Sequence, residues 1–149
     1  MKLVEVIQKD FPKFSFITGD ENLWFPEENK IFYVPNDKVG LLHELSHAVC
    51  GHKDFIQDIE LIHAERDAWD KAKELGQRYG VKISEKRIEA AMEWYRDWLH
   101  NRSTCPECRQ NGIQRRKDQH YECLNCGSVW SANDGRNARM HRYITNPPA

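Results

Sequence analysis

His43-Glu44-Leu45-Ser46-His47 sets two imidazoles four residues apart, with a carboxylate beside the first. On a helix, residues four apart share one face one turn apart, so His43 and His47 can hold a single ion through two nitrogens. Glu44 is rotated by about 100° from His43, close to the open side of such an ion, where a carboxylate can take a proton from water. The flanking Leu41, Leu42, Ala48 and Val49 are apolar or small, as a buried helix requires. The chemistry this pattern suits is metal-assisted hydrolysis with Glu44 as general base.

Two imidazoles and a water make a weak site, so a third protein ligand is needed. The metzincin spacing would place it at residue 53, which is Lys53, and would need glycine at Cys50. His52 is one residue too early, and on a continued helix it would point about 180° from His43. A helix spanning roughly Ile59 to Tyr79 offers a better donor. On its wheel, Leu61, Ile62, Ala68, Trp69, Ala72 and Leu75 fall within about 80° of Glu65. A carboxylate at the centre of an apolar arc costs several kcal/mol unless a cation or hydrogen bonds compensate it. His63 and Asp67 lie about 160° from Glu65, towards solvent. The candidate site is therefore His43, His47 and Glu65 around one zinc, with Glu44 as the catalytic base. Cys50 reads as a small buried hydrophobe, His52 and His63 as surface residues, and His100 as a cation suited to a helix end.

Cys105-Pro106-Glu107-Cys108 and Cys123-Leu124-Asn125-Cys126 form two CxxC pairs separated by fourteen residues, a zinc-ribbon spacing. Four thiolates fill a tetrahedral ion and leave no place for water, so this second zinc is expected to be structural. Gly112 and Gly127 suit the two knuckles, and Gln119 to Glu122 a hairpin strand. So short an appendage buries too little to fold alone, so the metal must hold it.

The elements that position these groups follow from pattern. Residues 14 to 34 alternate and break at Gly19-Asp20, predicting three short strands in an antiparallel sheet. Asn36 or Asp37 can cap the first helix, and Gly51 is placed to end it. Ser84 caps a third helix whose buried face is Ile88, Ala91, Met92, Tyr95, Trp98 and Leu99. The fold class is α+β: a small sheet, three helices and a cysteine-bearing appendage. We divide the chain into residues 1–100 and 101–149, because the first part sums to −5 and the second to +4 although the whole carries only −1.

No apolar run approaches the length of a bilayer span, and Glu5 interrupts the stretch a signal peptide would need, so no membrane association and a cytoplasmic location are expected. Arg115, Arg116 and Lys117, with Arg136, Arg139 and Arg142 interleaved with Trp130, His141 and Tyr143, could bind a nucleic-acid backbone. The alternative is a solvated surface that docks on the acidic first part.

His43 to His52, followed eighteen residues after His47 by Glu65-Arg66-Asp67-Ala68-Trp69, resembles the ImmA/IrrE family of gluzincin-type metallopeptidases over residues 14 to 80. That resemblance implies a zincin-like fold, zinc held by His43, His47 and Glu65, Glu44 as general base, and a protein or peptide substrate. The ribbon departs from the family's usual companions and is similar instead to that of SprT-like proteases, which act on DNA-bound proteins. Those use a third histidine, for which His63 falls at a comparable distance. The competing class is a non-enzymatic nucleic-acid or protein adaptor with a vestigial first site. A helper for the oxyanion is not singled out among Tyr33, His63, Tyr95 and Arg96.

Overall fold

A computed structural model describes residues 1–148 as a mixed α+β chain with four helices and two small sheets. In order these are α1 (Leu3–Asp10), β1 (Ser15–Thr18), β2 (Leu23–Phe25), β3 (Lys30–Tyr33), α2 (Lys38–Cys50), α3 (Asp58–Tyr79), α4 (Glu85–Ser103), β4 (Ile113–Gln114), β5 (Tyr121–Glu122), β6 (Val129–Ala132) and β7 (Arg142–Asn146). By contacts they form two compact units. One is Met1–Asp54 with His63–Glu89; the other is Phe55–Ile62 with the chain from Ala90 onward. The cysteine-bearing unit thus includes Phe55–Ile62 and most of α4 besides the residues after 100.

In the first unit the strands lie in the order β1-β3-β2. The expected all-antiparallel sheet is corrected to a mixed one, with β1 parallel and β2 antiparallel to β3. The reason is the tight Pro26–Glu28 turn, closed by Asn29 in the left-handed conformation, which folds β3 back beside β2 and into the centre. Helix α1, which short apolar runs do not announce, buries Ile7 completely against Phe14, Ile31, Leu41, Leu42, Leu45, Ala48 and Leu75.

Helix α2 is fixed at both ends. Asp37 caps it by accepting the Gly40 N–H (2.9 Å), and Asn22 donates to the same carboxylate (2.8 Å) while accepting the Val34 N–H (2.8 Å). One amide side chain therefore joins the start of β2, the end of β3 and the helix cap. Gly40 makes room for this: a Cβ there would collide with both the Asn22 amide and the Asp37 carboxylate. At the other end Gly51 adopts φ +71°, open to glycine without strain, and turns the chain back so that its N–H and that of His52 reach the Ala48 and His47 carbonyls. Cys50 is exposed, contrary to expectation, because it lies about 140° around α2 from the buried Leu45.

The second unit carries an antiparallel sheet in the order β4-β5-β6-β7, with Trp130 fully buried beside Cys105, Tyr121 and Cys123. Near the end of the described residues Arg142–Asn146 forms β7, antiparallel to β6. Under the sheet, buried Asp58 accepts from Arg102 Nε (2.6 Å) and from the Tyr121 hydroxyl (2.7 Å), and its amide donates to Gln114 Oε1 (2.6 Å). Trp130 Nε1 in turn donates to the Arg102 carbonyl. Burial and the adjacent Asp58 carboxylate push the Tyr121 phenol upward, keeping it a neutral donor.

Asn22→Ala leaves the Val34 N–H without its side-chain acceptor and should lower unfolding free energy by about 1–3 kcal/mol in urea titration. Burial pushes the Asp37 carboxyl up, but the Gly40 N–H, the Asn22 amide and Arg87 outweigh it and hold it below its ordinary value. The contribution of Asp37 is therefore complete above about pH 4 and is lost as the pH falls through the lowered value, so the penalty of Asn22→Ala should shrink in acid. Asp58→Asn, which leaves the Arg102 charge buried without its partner, should cost about 3–5 kcal/mol in the same measurement.

Candidate metal centres

The helical spacing of α2 places His43 and His47 on one buried face, and α3 brings Glu65 to meet them. Glu65 Oε2 lies 3.0 Å from His43 Nε2, its Oε1 lies 3.0 Å from His47 Nε2, and the two Nε2 atoms are 3.2 Å apart. Two imidazole nitrogens and both oxygens of one carboxylate thus converge from a triangle of three side chains, at separations near the roughly 3.3 Å edge of a tetrahedron around zinc with bonds near 2.05 Å. The two imidazole nitrogens cannot both donate to each other at this distance, and each faces a carboxylate oxygen. A cation at the centre satisfies all three.

Electrostatics point the same way. Burial pushes the Glu65 carboxyl up, but bonds from His43 and His47 dominate and bring it to about 2, so it stays ionised. Burial lowers the His47 imidazole, yet Glu65 outweighs that and raises it. The carboxylate therefore draws positive charge to this spot, which a proton or a metal ion could supply. Glu44, next to His43 but off the triangle, is pushed up by burial, while the charges of His43 and His47 and the Trp24 amide it accepts pull it down less strongly.

The supporting contacts differ for the two histidines. The His43 ring stacks on Trp69 with centroids 4.0 Å apart, and its Nδ1 and the Trp69 Nε1 have no protein hydrogen-bond partner. His47 Nδ1 sits 2.9 Å from His52 Nδ1, and the His52 carbonyl accepts the Trp24 indole N–H (2.8 Å). Sequence reasoning treats His52 as a surface residue because it extends α2 past Gly51; the left-handed turn at Gly51 is the signal that brings it back. His63 is exposed on the outer face of α3 and takes no part in the cluster.

The second centre gathers all four expected thiols. Cys105 and Cys126 Sγ are 3.6 Å apart and Cys108 and Cys123 Sγ 3.4 Å, near the roughly 3.8 Å edge expected around zinc with 2.3 Å bonds. The two CxxC loops repeat one geometry: the Arg109 N–H reaches the Cys105 carbonyl, and the Gly127 N–H reaches the Cys123 carbonyl (both 3.0 Å). Arg109 (φ +66°), and not Gly112, is the counterpart of Gly127. Gly112 instead leaves space for the Glu122 backbone and the Trp130 ring. Bonds from the Asn125 side chain and the Gln110 amide hold the Cys108 thiol down at about 6, favouring the thiolate a metal needs. Either cluster could bind metal, and they are the two such groups among the described residues.

Several of the ribbon's cations are engaged internally. Arg115 pairs with Asp118 (2.7 Å), Arg116 with Glu60 (2.6 Å) and Arg136 with Asp134 (2.8 Å), and Arg142 donates to the Thr104 carbonyl. No helix among the described residues is long and apolar enough to cross a membrane. No protein-family model, curated protein or solved structure matches the chain.

Native mass spectrometry separates the two centres. Two metal ions per chain should fall to one in Glu65→Ala and remain two in His63→Ala. Cys105→Ser should lose the other ion, and with it the protection of the ribbon amides in hydrogen exchange.

Proposed function

We propose that this chain is a zinc-dependent metallopeptidase of gluzincin type, with a zincin-like catalytic unit and a structural zinc in the ribbon. The observation that carries the proposal is the convergence of His43, His47 and Glu65 side chains within 3.0–3.2 Å of one another, with an intact Glu44 beside the histidines on their helix. Two nitrogens and one carboxylate oxygen are a donor set that suits zinc and leave one position free for substrate or water. A third ligand from Glu65, with His63 exposed, favours the ImmA/IrrE-like reading over the SprT-like one. A purely structural site would have no use for Glu44, which argues against an adaptor with a vestigial centre. The internal pairing of the ribbon arginines also weakens the nucleic-acid reading.

When bound, zinc supplies Lewis acidity, polarising a scissile carbonyl and lowering the pKa of a water. Glu44 takes a proton from the attacking water and passes it to the departing amine. Its partly buried setting raises its affinity for that proton, which suits a group that must act first as base and then as acid. Strand β2 is an edge of its sheet, and its Trp24 amide reaches the Glu44 carboxylate. A substrate in extended form adding to β2 would run past the general base, with backbone pairing supplying affinity for a protein or peptide chain.

The test is peptide-bond cleavage by Glu44→Gln. The variant should keep two zinc ions per chain and lose about 10²–10⁴-fold in rate, the share general-base catalysis supplies. Undiminished cleavage at full metal content would remove Glu44 from the mechanism.

A further inference from the structure

His52 has no place in the ligand set or the proton transfer, yet it partners the distal ring nitrogen of His47, whereas that of His43 has no protein partner. A histidine that offers Nε2 to an ion carries its proton on Nδ1, and that N–H needs an acceptor to fix the ring and its tautomer. His47 Nδ1 has one: His52 Nδ1 at 2.9 Å, with the rings edge to face and their centroids 5.1 Å apart. For His47 to donate, His52 must present an unprotonated Nδ1 and carry its own proton on Nε2.

His52 is itself held. The Gly51 turn returns the chain, the His52 N–H reaches the His47 carbonyl (3.0 Å), and the Trp24 indole N–H binds the His52 carbonyl (2.8 Å). The Trp24 amide reaches the Glu44 carboxylate. One residue of the edge strand therefore braces both the general base and the group behind a ligand. His43 has no counterpart to this arrangement; it is fixed by stacking on Trp69, and its Nδ1 is unpartnered.

We infer that His52 is a positioning residue for the first metal centre: it accepts the His47 Nδ1 proton, fixing the tautomer and orientation that direct His47 Nε2 to the ion, and Trp24 anchors it there. The inference rests on the metal reading given above but assigns a residue outside the ligand set.

The geometry also supplies the discriminating variants. In His52→Asn the amide oxygen occupies nearly the same place as the imidazole Nδ1, so the acceptor is kept while most of the ring is lost. His52→Leu keeps bulk and loses the acceptor. Full-length wild type, His52→Asn, His52→Leu and His52→Ala are loaded with zinc and challenged with a chromophoric chelator, and the ribbon zinc serves as an internal reference in each chain. Loss of a hydrogen-bond partner behind a ligating histidine typically lowers metal affinity by about 10–100-fold. The expected result is that first-site affinity falls by that factor in His52→Ala and His52→Leu, stays within a few fold of wild type in His52→Asn, and that ribbon zinc is unchanged throughout. Nitrogen NMR should show His47 protonated at Nδ1 in wild type and His52→Asn.

Equal retention in all four proteins would overturn the assignment, as would His52→Leu matching or exceeding His52→Asn, which would reduce the role to packing. A wild type that binds zinc only in the ribbon would overturn the metal reading itself, and the assignment with it, and is distinguished by a stoichiometry of one before any substitution.

Discussion

The Glu65 carboxylate is buried on the apolar face of α3, where an uncompensated charge would be strongly destabilising. It is kept ionised by two imidazoles that converge on it from one face of α2, and much else in the first unit keeps that convergence in place. Asn22 and Asp37 fix where α2 begins; Gly51 fixes where it ends and turns. Trp69 packs the back of one histidine and His52 meets the back of the other. A shift of α2 by one residue about its axis would rotate both imidazoles by about 100° and leave the carboxylate facing hydrocarbon.

The two centres answer different physical demands. Four thiols in a small sheet could surround an ion completely, and the apolar cluster around them is Trp130 and Tyr121 with Leu99 packed against it. The first cluster lies beside an apolar core built from α1, α2, α3 and the sheet, so that unit does not need a metal to supply its folding energy. On the reading proposed above, three donors with a neighbouring carboxylate leave the remaining position for water or substrate.

Much of this was legible from local pattern. The period of α3 put Glu65 among Leu61, Ile62, Ala68 and Trp69, and all of these are buried; the CxxC spacing brought four sulfurs together. What local pattern missed depended on the path of the chain between elements. Helix α1 was passed over because it is only two turns long, although Leu3, Val4, Ile7 and Phe11 recur at helical spacing and pack on one core. The strand order depends on the Pro26–Glu28 turn inserting β3 centrally, which alternation alone cannot specify. His52 was misplaced because a wheel extrapolated past Gly51 ignores the reversal that a left-handed residue imposes. Arg109 takes a conformation usually left to glycine, with its N–H on the Cys105 carbonyl, so residue type was a poor guide.

In sequence the cysteine-bearing end looks like an exchangeable module, spliced on after the third long helix. The knot of Asp58, Arg102 and Tyr121 makes it otherwise. Its carboxylate comes from the first turn of α3, more than forty residues upstream of the arginine it neutralises and more than sixty upstream of the tyrosine. A graft of residues 101–149 onto another host would carry a buried guanidinium without its counter-ion. The inheritable piece is therefore discontinuous, and recombination that respected only the apparent seam would separate partners that must travel together.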